Sequence, residues 1–362
     1  MIQYEYIKTK QELDAMCKIL EEEKTIAIDI ECENNLHHYG SYISIIQIST
    51  KNKNYVVDVI ELKEIMPLKK ILENNNIQKI FHDVSFDLRI LNFEFQIKPK
   101  NLFDTQIAAL LIGERNVGLG SLLEKFFNVK KESKFQMADW TVRPINPEMM
   151  SYAVKDTAYL IQLKDLIETE IKKLGREEWL KEELEHLDEK DYEYRELVFE
   201  DMKGITKLTA KEKIFAQKIY DAREIIAKRT NKPIHRIMPN RRIIELAQNP
   251  PQEHDGWKKI KGVHPALKAK LETIYYQSKK ITPMQTNTIK KDLKKYTEKQ
   301  KEELQELENI RVKLGEKFNI EPYLIMTKDQ VHDIVRNKNY ESLRNWQKKL
   351  IFQETKLFQE NE

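Results

Sequence analysis

The run Thr25-Ile-Ala-Ile-Asp-Ile-Glu31 decides the fold. Side chains along an extended chain alternate between faces. Ile26, Ile28 and Ile30 therefore share one side, and Ala27, Asp29 and Glu31 the other. The first side suits a core. The second turns two carboxylates the same way. Like charges that close resist joint ionisation unless a cation lies between them. Hard oxygens with positions left open for water and phosphate are what Mg²⁺ takes. Taken alone, an Asp-x-Glu pair reads far more readily as two exposed acids.

Around this strand the pattern predicts a meander, with further strands at 42–50 and 55–59 after a loop holding Gly40. A helix is expected at 9–23, opened by Thr9 and Glu12 at capping-box spacing. A helix at 64–73, a short strand at 78–81 and a helix from about Val84 come next. Helices at 104–112, 118–127 and 147–174 complete the front half. The economical architecture is an α/β domain with a mixed central sheet flanked by helices.

Beyond it almost everything has helical spacing. Residues 176–204 are dense in Glu, Asp and Tyr and read as a helical linker. Asn249-Pro250-Pro251 and Ile281-Thr282-Pro283 punctuate the back half. The second break separates two helical modules, 205–282 and 295–360, alike in plan but only weakly in sequence. The front domain is set at 1–175.

At 362 residues the chain is long enough for two or three domains. No run approaches the eighteen or so apolar residues of a membrane span. The opening residues lack an apolar targeting core, and Cys17 and Cys32 show no metal-type spacing. A cytoplasmic protein that makes no membrane contact is expected. The net charge of +3 hides an asymmetry: residues 203–295 hold 23 Lys and Arg against 8 Asp and Glu, an excess of 15 that leaves the remainder at −12. A basic back half fits a polyanionic partner, and reads equally well as a solvated helical surface.

Four further stretches stand out. In His82-Asp83-Val84-Ser85-Phe86-Asp87, Asp83 is placed to cap a helix and Asp87 falls one turn in. In Tyr152-Ala153-Val154-Lys155-Asp156, the i, i+4 spacing sets a phenol and a carboxylate on one helix face. Small Ala153 and apolar Met149 turn that face inward, where a carboxylate needs a partner such as a metal. In Phe103-Asp104-Thr105-Gln106, Asp104 reads as a helix N-cap. In Ala138-Asp139-Trp140-Thr141-Val142-Arg143-Pro144, Asp139 and Arg143 are placed to pair across a turn. Those last two stretches read as structural.

Asp29 with Glu31, then Asp87, then Tyr152 with Asp156 resemble, in that order, the three exonuclease motifs of the DEDD superfamily. A Tyr four residues before the last Asp resembles the DEDDy branch. Ser44-Ile-Ile-Gln-Ile-Ser-Thr50, Leu102–Ala109, Ala138-Asp-Trp140 with Arg143-Pro144, and Tyr152-Ala153 are similar to ribonuclease D and its nuclear, exosome-associated relative. Lys207-Leu-Thr-Ala-Lys-Glu-Lys and Met238-Pro-Asn-Arg-Arg-Ile-Ile-Glu-Leu-Ala247 resemble HRDC domains, helical nucleic-acid-binding units; the second module resembles them more faintly.

The resemblance implies a ribonuclease H-like exonuclease domain followed by all-α HRDC domains. It implies 3′→5′ removal of nucleoside 5′-monophosphates from single-stranded RNA ends, those of tRNA and other stable RNA precursors among them. It further implies two divalent ions, Mg²⁺ foremost and Mn²⁺ next, held by Asp29, Glu31, Asp87 and Asp156. Asp29 would bridge them, and Tyr152 would orient the attacking water. A DNA exonuclease shares every one of these residues. An inactive RNA-binding scaffold would be expected to have lost a carboxylate, and all four are present here.

Overall fold

A computed structural model describes residues 2–130, 134–282 and 295–355. The expected break at Ile281-Thr282-Pro283 and the end of the second module at 356–360 reach beyond the described residues.

The front half is a six-stranded mixed sheet. Its strands are β1 (Glu5–Ile7), β2 (Thr25–Asn34), β3 (Ser41–Ser49), β4 (Asn54–Asp58), β5 (Gln78–Phe81) and β6 (Leu102–Asp104), in the order β1-β4-β3-β2-β5-β6. β2, β3 and β4 form the antiparallel meander, and β1, β5 and β6 each add a parallel pair. The edge strands β1 and β6, three residues each, lie outside the sequence expectation. They are too short to show a period, and only pairing with a neighbour makes them strands.

Helices cover both faces. Ile26, Ile28 and Ile30 pack with Ile46, Ile48 and Val57 under α1 (Lys10–Leu20), α3 (Met66–Leu72) and α4 (Ser85–Phe95); the short α2 (Val59–Leu62) follows β4 directly. The Thr9 capping box opens α1 as expected, with Glu12 accepting from the Thr9 amide at 2.9 Å. On the opposite face Ala27, Ile80 and Phe103 meet α5 (Thr105–Leu111), α6 (Leu119–Phe127) and α8 (Leu160–Lys173). The single helix expected over 147–174 is divided at Tyr159, whose φ of −107° leaves the helical range. The division lets α7 (Pro147–Ala158) lie over the meander while α8 packs on α5.

The linker expectation is corrected. Only α9 (Glu177–Glu189) of that stretch is an α-helix, and Leu180 and Leu187 bury into the front domain. Past it the chain has no regular structure as far as short 3₁₀ turns within 199–207.

The first helical module comprises α10 (Ala210–Thr230), α11 (Ile234–Ile237), α12 (Asn240–Gln248), α13 (His254–Lys258) and α14 (Pro265–Lys279). The next comprises α15 (Glu298–Phe318), α16 (Pro322–Ile325), α17 (Lys328–Asn337) and α18 (Asn345–Phe352). The two share more than a plan. Thr209 and Thr297 each close a capping box at the start of a 21-residue helix. Asn231 and Asn319 each end that helix in the left-handed conformation. Buried Arg223 donates to the Met238 carbonyl at 3.1 Å, and buried Arg311 to the Met326 carbonyl at 2.8 Å. Every pair has the same sequence separation, so the repeat holds in register.

Their docking differs. The second module shares one apolar cluster with α5, α8 and α9. Trp346 stacks on Trp179 at 4.6 Å and 17°, and Arg176 donates to the carbonyls of Leu111 and Phe318. Gly113, at φ +91°, passes so close to Asn319 that a Cβ would stand 2.4 Å from its carbonyl oxygen; only glycine fits. The first module keeps its own core, with Tyr39 from the β2–β3 loop packed against it.

Candidate metal centre and catalytic cleft

β2 places Asp29 and Glu31 on the face that α7 covers, and a β-bulge follows immediately between Glu31 and Cys32. α7 begins at Asn146, whose side chain accepts from the Glu148 amide at 2.7 Å, with Pro147 next. Thr157 is tied to Ser49 of β3, hydroxyl to hydroxyl at 2.6 Å, which fixes the helix across the sheet. Asp156 then projects inward, 3% exposed. Asp29, Glu31 and Asp156 bring one carboxylate oxygen each to within 4.8 Å of one another. Three hard oxygens that close, one almost fully buried, match the donor set of a divalent cation.

A cleft of about 470 Å³ opens over this group and is lined by Asp29, Asp87 and Asp156. Asp87 sits in the first turn of α4, 9% exposed. A helix N-terminus favours a negative charge. Burial outweighs that here and, with Asp29, Asp83 and Asp104 nearby, pushes the Asp87 carboxyl well above its ordinary range. A bound cation would reverse that shift, so the residues present fit a metal centre.

Asp83 does not cap α4. Its backbone is left-handed, φ +61°, and Val84 takes the cap position without a side-chain bond. Asp104 ties down this turn from the next strand. Its carboxylate accepts from the amides of Asp83 and Val84 at 3.1 and 3.0 Å, and it caps α5 by accepting from Gln106 and Ile107. Burial still raises its pKa despite those four donors. His82 lines the cleft, and its Nδ1 lies 2.9 Å from the Thr105 hydroxyl. That hydroxyl also lies 3.0 Å from the Phe81 carbonyl.

Tyr152 lies one turn before Asp156 on α7, 7% exposed, between the rings of Phe135 and Trp140 at 5.8 and 6.2 Å. The expected pairing of Asp139 with Arg143 is not formed. Arg143 turns to Asp58, at the end of β4, with Nε 2.6 Å from Oδ2. Asp139 accepts from the Thr141 amide and lies 3.0 Å from His38 Nε2. His38 Nδ1 in turn faces Asn231 at 3.2 Å, and Asn231 accepts from the Tyr39 amide. The β2–β3 loop thus joins the first helical module to the segment that carries Gln136 into the cleft.

Gln106, Gln136 and the start of α6, Gly118–Ser121, also line the cleft and were not singled out in the sequence. Only the Asp104-Thr105-Gln106 cap hinted at one of them. Cys32, among Asp87, Glu31, Glu33 and Asp29, is no reactive thiol: burial first, then those charges, push it up to about 12.

The chain is similar to known proteins along most of its length. Residues 4–172 match the family described as 3′-5′ exonuclease, and residues 213–271 match the HRDC domain. The exosome complex exonuclease RRP6 of Saccharomyces cerevisiae is 27% identical over 266 residues, 68% of this chain and 36% of the yeast protein. Ribonuclease D of Sphingobium indicum is 26% identical over 71% of this chain and 67% of that protein. The chain therefore spans only about a third of the yeast relative's length. The crystal structure of Escherichia coli RNase D, 19% identical, superposes with a TM-score of 0.70 over 97% of both chains, a likeness of fold that takes in both helical modules. No described helix is long and apolar enough to cross a membrane.

Proposed function

We propose, from the match of residues 4–172 to the 3′-5′ exonuclease family and of residues 213–271 to the HRDC domain, that this chain is a metal-dependent 3′→5′ exoribonuclease of the ribonuclease D type. The observation that supports it most is the convergence of Asp29, Glu31 and Asp156 at the cleft, with Asp87 on its wall. Asp29, Glu31, Asp87 and Asp156 hold two divalent ions, Mg²⁺ by preference for all-oxygen ligands and Mn²⁺ as a substitute. When bound, the ions supply charge stabilisation at the scissile phosphate and a water acidic enough to attack at neutral pH.

The chain's own residues then do three things. The carboxylates fix where the terminal phosphodiester lies. Tyr152, its ring braced by Phe135 and Trp140, holds the attacking water by a hydrogen bond from a side chain that cannot swing away. The Asp83–Asp104 contact sets the start of α4 and so the position of Asp87. Water attacks phosphorus, the 3′ oxygen of the preceding nucleotide leaves, and a nucleoside 5′-monophosphate is released.

The substrates are RNAs with single-stranded 3′ ends, precursors of tRNA and other stable RNAs among them. The basic first module grips phosphates without reading sequence. The setting is cytoplasmic, in keeping with two cysteines that both remain free thiols. The test is a side-by-side assay on RNA and DNA oligomers of one sequence, with Mg²⁺ and with EDTA. The reading expects stepwise shortening of RNA from its 3′ end and none in EDTA. Preference for DNA would assign the chain to deoxyribonucleotide substrates, and no hydrolysis of either would leave it a binding scaffold.

A further inference from the structure

Gln47 lies wholly buried in the middle of β3, and neither its Oε1 nor its Nε2 has a hydrogen-bond partner among the described residues. Buried amides are almost always satisfied, and a group left otherwise calls for an explanation. Its surroundings supply one. The strand register sets Gln47 directly opposite Asp29 on one side and Val56 on the other. Opposed residues of an antiparallel pair project from the same face. Gln47 therefore shares the face of Asp29, as do Ile45 and Ser49, two residues before and after it.

That face lies under α7. Ile45 packs with Ala153 and Tyr152, and Ser49 meets Thr157. Ala153, one turn before Thr157 on the same helix, is fully buried in one cluster with Ile45 and adds only a methyl group. The carboxamide thus occupies a pocket walled by the strand that carries Asp29 and by the helix that carries Tyr152 and Asp156.

We propose that Gln47 is a positioning residue of the metal site. Its Nε2 donates to a carboxylate of the cage once cations are bound, and its Oε1 accepts from water that the filled site orders. Outer hydrogen bonds of this kind set the orientation of ligating carboxylates, and their loss commonly costs about 10–100-fold in metal affinity or activity. The inference rests on the metal-dependent reading of the cleft.

The experiment is a calorimetric titration of the full chain with Mg²⁺, wild type against Gln47→Met, together with thermal unfolding of both in EDTA. Methionine keeps the length and volume and removes both polar ends. The expected result is an affinity for Mg²⁺ weaker by about 10–100-fold, with unfolding in EDTA unchanged or shifted upward, because the lost amide had no partner there. Unchanged Mg²⁺ affinity with a lower unfolding temperature in EDTA would make Gln47 a purely structural group and overturn the proposal. Should Gln47→Met not fold, Gln47→Asn, which keeps the amide but shortens its reach, is read by the same titration: weakened Mg²⁺ affinity supports the proposal, and wild-type affinity overturns it. A wild type that binds no divalent cation overturns both this inference and the functional reading. A wild type that binds, alongside variants that bind equally well, overturns this one alone.

Discussion

Arg143 grips Asp58 with two nitrogens, Nε 2.6 Å from Oδ2 and Nη2 2.9 Å from Oδ1. The carboxylate is fully buried at the end of β4 and also accepts from Tyr6 and from the Glu61 amide. Nη1 of the same guanidinium donates to the Trp140 carbonyl at 2.7 Å. One side chain therefore pins the segment that braces Tyr152 and lines the cleft.

Arg143→Ala should leave that carboxylate buried and unpaired, at a cost of about 3–5 kcal/mol. Denaturant unfolding checks it. Burial works to raise the Asp58 pKa, but the bonds from Arg143 and Tyr6 hold it below the usual carboxylate range. Its contribution is accordingly present above the unfolded pKa and is lost as pH falls through the folded one. The gap between wild type and variant should be widest near neutrality and shrink in acid.

Tyr152→Phe tests the water-orienting role. The ring contacts with Phe135 and Trp140 survive the change, so folding should hold. kcat should fall by roughly 10²-fold, with RNA affinity little altered. An unchanged kcat would reduce Tyr152 to packing.

Glu94 makes a prediction in pH. Burial pushes its carboxyl up to about 7, against one bond accepted from the Ile43 amide. Between its unfolded value of 4.5 and about 7, the folded chain binds a proton that the unfolded chain has released, so stability falls as pH rises. Glu94→Gln keeps the acceptor and removes the charge. It should be more stable than wild type at pH 8 by about 1 kcal/mol after allowance for partial exposure, and the gain should vanish near pH 4. Unfolding midpoints at the two pH values decide it.

The basic module makes a prediction in salt. Lys228, Arg229 and Lys232 are exposed at the end of α10, beside Asn231 and its contacts with His38 and Tyr39. If these cations meet RNA phosphates, replacing all three by Ala should weaken binding of single-stranded RNA. The log–log salt slope should become shallower by about 0.7 for each contact removed. Equal slopes would leave them a solvated surface. Point variants serve better than cutting the chain after the front domain, because that cut would strip Trp346 from Trp179 and uncover α8 and α9.

The β2 alternation was legible because a two-residue period and buried isoleucines depend on neighbours in sequence. So was the face shared by Tyr152 and Asp156, which helical spacing alone dictates. Partners far along the chain were not. Asp139 and Arg143 had turn spacing, yet Arg143 found Asp58, a choice made by the approach of β4 to the cleft segment. The cap of α4 escaped for the same reason, since Asp104 reaches it from another strand. The break at Tyr159 follows from two different surfaces that one straight helix cannot cover.

Asp29 and Asp156 are the ligands on which the proposed metal chemistry depends most. The direct measurement is release of nucleoside 5′-monophosphates from single-stranded RNA in Mg²⁺ by wild type, Asp29→Asn and Asp156→Asn, with RNA affinity and unfolding in EDTA recorded for each. Both variants should bind RNA and fold like wild type. Asp29→Asn should be at least as stable in EDTA, because it relieves the charge crowding felt at Asp87. Both should lose more activity than the roughly 10–100-fold of an outer-sphere change. Full hydrolysis by Asp29→Asn in Mg²⁺, or hydrolysis by wild type that persists in EDTA, would rule out metal-dependent catalysis at these carboxylates.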